Sequence, residues 1–140
     1  REPLLRETVD GIHCSRDFIV SRLCFLLDCK LYEEASRYTV VRHGIIDGAK
    51  YYNLLPAAGT LEEHGFKLAS SLIYRALLLS ILERARSNIY KYGVRYLKKL
   101  DALASQISDW EEIKSHAEFK KTLGERHGRK RAFWEKYGGR

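Results

Sequence analysis

Lys91, Arg95, Lys98 and Lys99 recur every three to four residues and fall on one side of a predicted helix. The opposite side carries an apolar stripe of Gly93, Leu97, Leu100, Ala104 and Ile107. A second basic cluster, Arg126, Arg129, Lys130 and Arg131 with His127, crowds the last predicted helix, and Lys120 and Lys121 precede it. Fixed positive charge in this pattern neutralises anions. It pairs with carboxylates of an acidic protein segment, or it displaces counterions from a phosphate backbone. Tyr90, Tyr92 and Tyr96 add ring faces on which exposed bases can stack. The competing use is structural: a solvated helix face, and cations favoured near a helix C-terminus. Under that reading Phe133 and Trp134 fold back as a capping helix, and Arg126 and Lys130 pair with acidic groups elsewhere.

Charge is unevenly spread. Residues 114–140 carry nine Lys/Arg against three Asp/Glu, whereas residues 1–113 carry sixteen against fifteen. Nearly all of the +7 net charge therefore sits in the C-terminal segment, where a local excess points to a partner more strongly than a uniform one does.

Other chemistries find little support. Cys24, Cys29, His43 and His64 are the candidate soft metal ligands. Cys24 and Cys29 sit at i, i+5 and diverge by roughly 140° on a helix, and His13 and Cys14, being adjacent, also point apart. The thiols read as small hydrophobes. No Gly-x-Ser-x-Gly elbow occurs. The acidic pairs Glu33-Glu34, Glu62-Glu63 and Glu111-Glu112 lie at helix starts or wet faces. Gly124 and Gly128 lack the preceding strand of a phosphate loop. Neither a catalytic residue, a metal nor a cofactor is expected. No stretch approaches ~18 apolar residues, so no membrane partner is expected, and three cysteines without framework spacing suit a reduced, cytoplasmic setting.

The elements that must position the basic groups are helices. A chain of 140 residues that is 45% hydrophobic and 31% charged fits one domain with a real core. Residues 1–14 read as a linker or the end of a missing N-terminal region, and 15–137 as a single helical domain. Helices are expected from Ser15 to near Lys30 and from Tyr32 to His43, with Gly44 as the stop. A short one runs from Leu54 or Pro56 to His64, with a break or restart at Gly59-Thr60. The clearest spans Phe66–Arg86. Its Leu68, Ala69, Leu72, Ile73, Ala76 and Leu77 follow 3, 4 spacing, and it is apolar nearly all round between Ala76 and Leu82. It is taken as the central helix, and Arg75 and Arg84 within it need partners, Arg75 from a carboxylate or carbonyls of a neighbouring helix. Another helix spans Ile89–Gln106, where Gly93 permits close approach of a neighbouring backbone. Ser108 and Glu111 have capping-box spacing and open a short helix to Lys114. The last, basic helix spans 118–137. Period-2 alternation is missing, so the fold class is all-α: helical hairpins, about six or seven helices, stacked as a tetratricopeptide-like solenoid or a bundle. Ala35-Ser36 and Ala69-Ser70 are 34 residues apart, the tetratricopeptide period, although the helices before them do not match.

Three stretches in this order carry a resemblance: Leu72-Ile-Tyr-Arg-Ala-Leu-Leu78 running into Ile81-Leu-Glu-Arg-Ala-Arg-Ser87; Tyr92-Gly-Val-Arg-Tyr-Leu-Lys-Lys-Leu-Asp-Ala-Leu-Ala104; and His127-Gly-Arg-Lys130 with Phe133-Trp134. Over roughly residues 54–134 the chain resembles an uncharacterised bacterial family of helical proteins, a domain of unknown function. It is also similar to helical tails that follow the SWIM zinc module in some bacterial proteins. The resemblance implies an all-α, repeat-like fold, a bacterial cytosolic setting and members longer at the N-terminus. It supplies no catalytic residues, and the SWIM cysteines and histidine have no counterpart here.

The expected function is a non-enzymatic helical module for protein–protein interaction, the C-terminal part of a longer protein. Its anticipated partner is an acidic protein or peptide, met by Lys91, Arg95, Lys98, Lys99, Arg126, Arg129, Lys130 and Arg131. Nucleic-acid binding by the same residues is the alternative.

Overall fold

A computed structural model describes residues 15–138. The expected linker 1–14 lies outside them. Seven α-helices and two 3-10 turns follow one another, and no strand occurs among the described residues. They are α1 (Ser15–Asp28), α2 (Tyr32–Val41), α3 (Tyr51–Glu63), α4 (Lys67–Arg84), α5 (Tyr90–Ala104), α6 (His116–His127) and α7 (Arg131–Tyr137).

Helix α4 is the hub and packs against α2, α3 and α5. Its apolar residues are not confined to one stripe, so it buries side chains all round, from Ala69 through Leu72, Ile73, Leu77 and Leu78 to Leu82. The stripe of α5 instead buries one face, with Gly93, Val94, Leu97, Leu100 and Leu103 inside and Lys91, Arg95 and Lys98 exposed.

Local chemistry ends the helices. After α3, Gly65 takes φ 88°, the Gly65 N–H donates to the Glu62 carbonyl at 3.0 Å and the Phe66 N–H to that of Leu61 at 2.9 Å. This is a Schellman cap, which lets α4 turn back within three residues. Lys30 closes α1 in the same way at φ 62°.

Several boundaries differ from expectation. Helix α3 starts at Tyr51 and runs unbroken through Gly59-Thr60, with Pro56 inside it. The Leu54 N–H already donates to the Lys50 carbonyl at 3.0 Å, so the helix is under way before the proline. The carbonyl freed by Pro56 belongs to Tyr52, which is exposed and can be solvated. No helix opens at Ser108. The Asp109 carboxylate accepts from the Glu111 N–H at 2.8 Å and Glu111 sits at φ 55°, a local turn that outcompetes the helix. The capping box lies instead at Ser115 and Glu118 and opens α6. The expected 118–137 helix is two helices. The Trp134 indole N–H takes the His127 carbonyl at 2.9 Å, so this oxygen turns to the next helix and the chain bends at Gly128–Lys130.

Candidate functional site

Two concavities flank the loop that joins the second helix to the third. Gly48 and Ser80 belong to the walls of both. A Cβ on Gly48 would lie 2.0 Å from the Ala76 carbonyl oxygen, so only glycine lets this loop press onto α4 and keep the two apart.

The first is a groove of about 400 Å³ between α3 and α5, floored by α4. Leu55, Leu77, Ile81 and Ile89 make it apolar, and Tyr51, Tyr92 and Tyr96 line it with rings. Arg84 and Arg95 supply charge, and among the described residues no acidic side chain lines it. The Arg95 guanidinium lies 5.4 Å from the Tyr92 ring centroid, and Lys91 Nζ lies 5.2 Å from the same ring. This cation–aromatic contact holds both cations at the rim without neutralising them. Tyr51 stacks on Tyr52 at 4.4 Å, and both are exposed. Burial pushes the Tyr96 phenol above its ordinary value, so it stays a neutral donor.

The second is a cavity of about 520 Å³ between the 43–48 turn, α4, the 107–115 segment and α6. Arg75 stands in its wall, 6% exposed, with Cζ 4.6 Å from the Phe119 ring centroid and 5.1 Å from that of Trp110. The expected carboxylate or carbonyl partner is not there: among the described residues nothing accepts from Nε or Nη2. Burial pulls its pKa down to about 10, so it remains charged at neutral pH. Arg84, also expected inside, is exposed at the groove.

The eight basic residues singled out from sequence therefore part company. Arg95 lines the groove, with Lys91 at its rim, and Lys98 is exposed one turn further along α5. Lys99 is held by Glu62 of α3 at 2.9 Å, which raises its pKa through that hydrogen bond. Arg126 lines the second cavity. Arg129 and Arg131 are exposed around the bend between α6 and α7, and Lys130 is half-buried at the cap of α7. Sequence reasoning missed Tyr51 and Arg84. A tyrosine pair just ahead of a helix was the available signal for the first. For the second, only the helix end at Ala85 distinguishes an exposed arginine from a buried one.

A third cluster joins α5, α6 and α7. Asp101 accepts from Tyr137 Oη at 2.5 Å and from Lys120 Nζ at 3.3 Å, and it contacts His116 Nε2 at 2.6 Å. Lys120 also donates to Tyr137 Oη at 2.8 Å. Each member contacts another member, with only His116 Nδ1 left without a partner among the described residues, so the cluster reads as a clasp that holds α7 in place.

Among the described residues, no group of three His, Cys, Asp or Glu side chains is placed to hold a metal, and no helix is long and apolar enough to cross a membrane. No curated protein and no solved structure matches the chain. The seven described helices do coincide with one family: the match runs over residues 12–136, from just before α1 to within one residue of the end of α7, and the chain belongs to the family of unknown function DUF6880.

Proposed function

We propose that the chain is a non-catalytic helical binding module whose α3–α5 groove takes an acidic peptide segment with interspersed apolar residues. The observation that carries this is the groove's composition: an apolar floor, three tyrosines and two arginines, with no carboxylate among the described residues of the wall. Apolar side chains of a partner would lose water against Leu77 and Ile81. Its carboxylates would meet Arg84 and Arg95, whose planar forks suit bidentate pairing. Rigid aromatic groups and arginine are the residue types that dominate interface energetics. A second reading keeps a specific observation in its favour. Tyr92 is exposed beside Lys91 and Arg95, and the exposed Tyr51–Tyr52 stack adds ring faces at the same groove through Tyr51, a combination of the kind that binds single-stranded nucleic acid.

Fluorescence anisotropy with two labelled probes separates the readings: a peptide alternating Glu with Leu and Phe, and a single-stranded oligonucleotide of mixed sequence. The module reading expects the peptide to bind, its Gln-for-Glu counterpart to bind at least tenfold more weakly, and the R84E/R95E variant to bind neither. Binding of the oligonucleotide alone, with steep weakening as salt rises, would transfer the function to nucleic acid. Binding of neither probe would end both readings.

A further inference from the structure

We propose that the cavity around Arg75 is a second, independent binding site, and that its ligand is a small carboxylic acid with an apolar body. The starting point is a charge without a counter-charge. Arg75 is 6% exposed, and none of the described residues accepts from Nε or Nη2. These two nitrogens form the edge with which a guanidinium grips a carboxylate in parallel. A buried guanidinium left in this state is costly, and the rings of Phe119 and Trp110 offset only part of the cost. The chain maintains that cost beside a cavity of about 520 Å³, within the size range of small-molecule sites.

The remaining wall selects the ligand class. Leu72, Leu79, Ile113 and Phe119 give it apolar surface, so a ligand gains by burying a hydrocarbon or aromatic body. Lys114 and Arg126 add positive charge, but Asp47, Glu83 and Glu112 also line the cavity. Those carboxylates oppose a doubly charged phosphate and tolerate a single negative charge seated on Arg75. The Nε–Nη2 edge is closed off from water and the rings of Phe119 and Trp110 lie against the guanidinium, so the carboxylate reaches the edge by displacing a neighbouring side chain. This site shares no charged residue with the α3–α5 groove and stands whether or not the groove binds peptide.

Trp110 reports on the site directly. With Trp134 replaced (W134F), it is the chain's one tryptophan. Titration with hexanoate should change its fluorescence saturably, hexanamide should need at least tenfold higher concentration, and inorganic phosphate should not compete. R75M in the same background should abolish the response, and R84E/R95E should leave it intact. Should R75M fail to fold, the Arg75 Nε–H resonance of the unsubstituted chain decides: it should shift with hexanoate and not with hexanamide. No saturable response, an equal response to the amide or to phosphate, or a response that survives in R75M would each overturn the assignment.

Discussion

The Phe133 ring edge lies 3.1 Å from where a Cβ would stand on Gly93. Phe133 is fully buried, and its ring meets Tyr90 edge-on at 5.8 Å, so α7 docks by filling the gap a missing side chain leaves in α5. The close approach expected at Gly93 is thus made by side chains, Phe133 with Ile81 and Leu78, and not by a backbone. Alanine at this position gains about 1 kcal/mol of helix propensity but forces three packed side chains to yield, at a cost of ~1–3 kcal/mol. G93A should be net destabilised by about 1 kcal/mol. At Gly59 and Gly124 a Cβ meets nothing within 4 Å, so G59A and G124A should each gain roughly 0.5–1 kcal/mol. Urea melts of the three variants check the opposite signs.

The clasp on Asp101 makes docking of α7 depend on pH. Burial pushes the Asp101 carboxyl up, but the hydrogen bond from Tyr137, the contact with His116 and the charge of Lys120 together bring it below the ordinary value. A group depressed in the folded state stabilises fully above its unfolded pKa of about 4 and loses that contribution as pH falls through the folded value. The melting temperature should therefore be insensitive to this group above pH ~5 and fall as the pH drops below 4. D101N should remove that acid limb and cost about 1–2 kcal/mol at neutral pH, the worth of charge-assisted hydrogen bonds in a partly solvated site. Melting curves between pH 3 and 7 for both chains test this, and an unchanged acid limb in D101N would refute it.

The all-helical architecture and the central place of α4 were legible because apolar periodicity is strong there, and the near-continuous apolar run around Leu77 already meant packing on several sides. What the sequence hid was competition for backbone groups and charge. Nothing in Ser108-x-x-Glu111 tells that Asp109 will take the Glu111 N–H. Nothing near His127 tells that an indole seven residues on will hold its carbonyl. The basic stripe on α5 was visible as a stripe, but its division was not: Arg95 turns to a groove completed by Tyr51 of α3, and Lys99 to Glu62 of the same helix. Arg75 carried the opposite surprise, because the expectation of a carboxylate or carbonyl partner followed from electrostatics and two aromatic rings stand there instead.

Lys98 and Lys99 are adjacent, carry the same charge and should respond differently to reversal. Lys98 is exposed, whereas Lys99 Nζ lies 2.9 Å from the Glu62 carboxylate with both groups partly shielded. K99E places two carboxylates together across α3 and α5 and should cost about 1–2 kcal/mol of stability. K98E should change stability by less than ~0.5 kcal/mol. Denaturation of the two variants in low salt, repeated at 1 M salt where the repulsion is screened, distinguishes a charge effect from a packing one.

Replacing Arg75 should reveal whether its burial strains the fold. Removing one member of a neutralised buried pair destabilises, because the partner charge is stranded. Arg75 has no such partner among the described residues, so R75M removes an uncompensated charge and leaves a side chain of similar length against Phe119 and Trp110. The lost cation–aromatic attraction is about 1–2 kcal/mol, and the relieved desolvation is several kcal/mol. R75M should therefore melt at or above the temperature of the unsubstituted chain, with a gain of roughly 1–2 kcal/mol in urea. R75Q should gain less, since it keeps a buried amide whose own donors need acceptors. A loss of 3 kcal/mol or more in R75M, the signature of a stranded partner, would show that Arg75 is neutralised by a group of this chain.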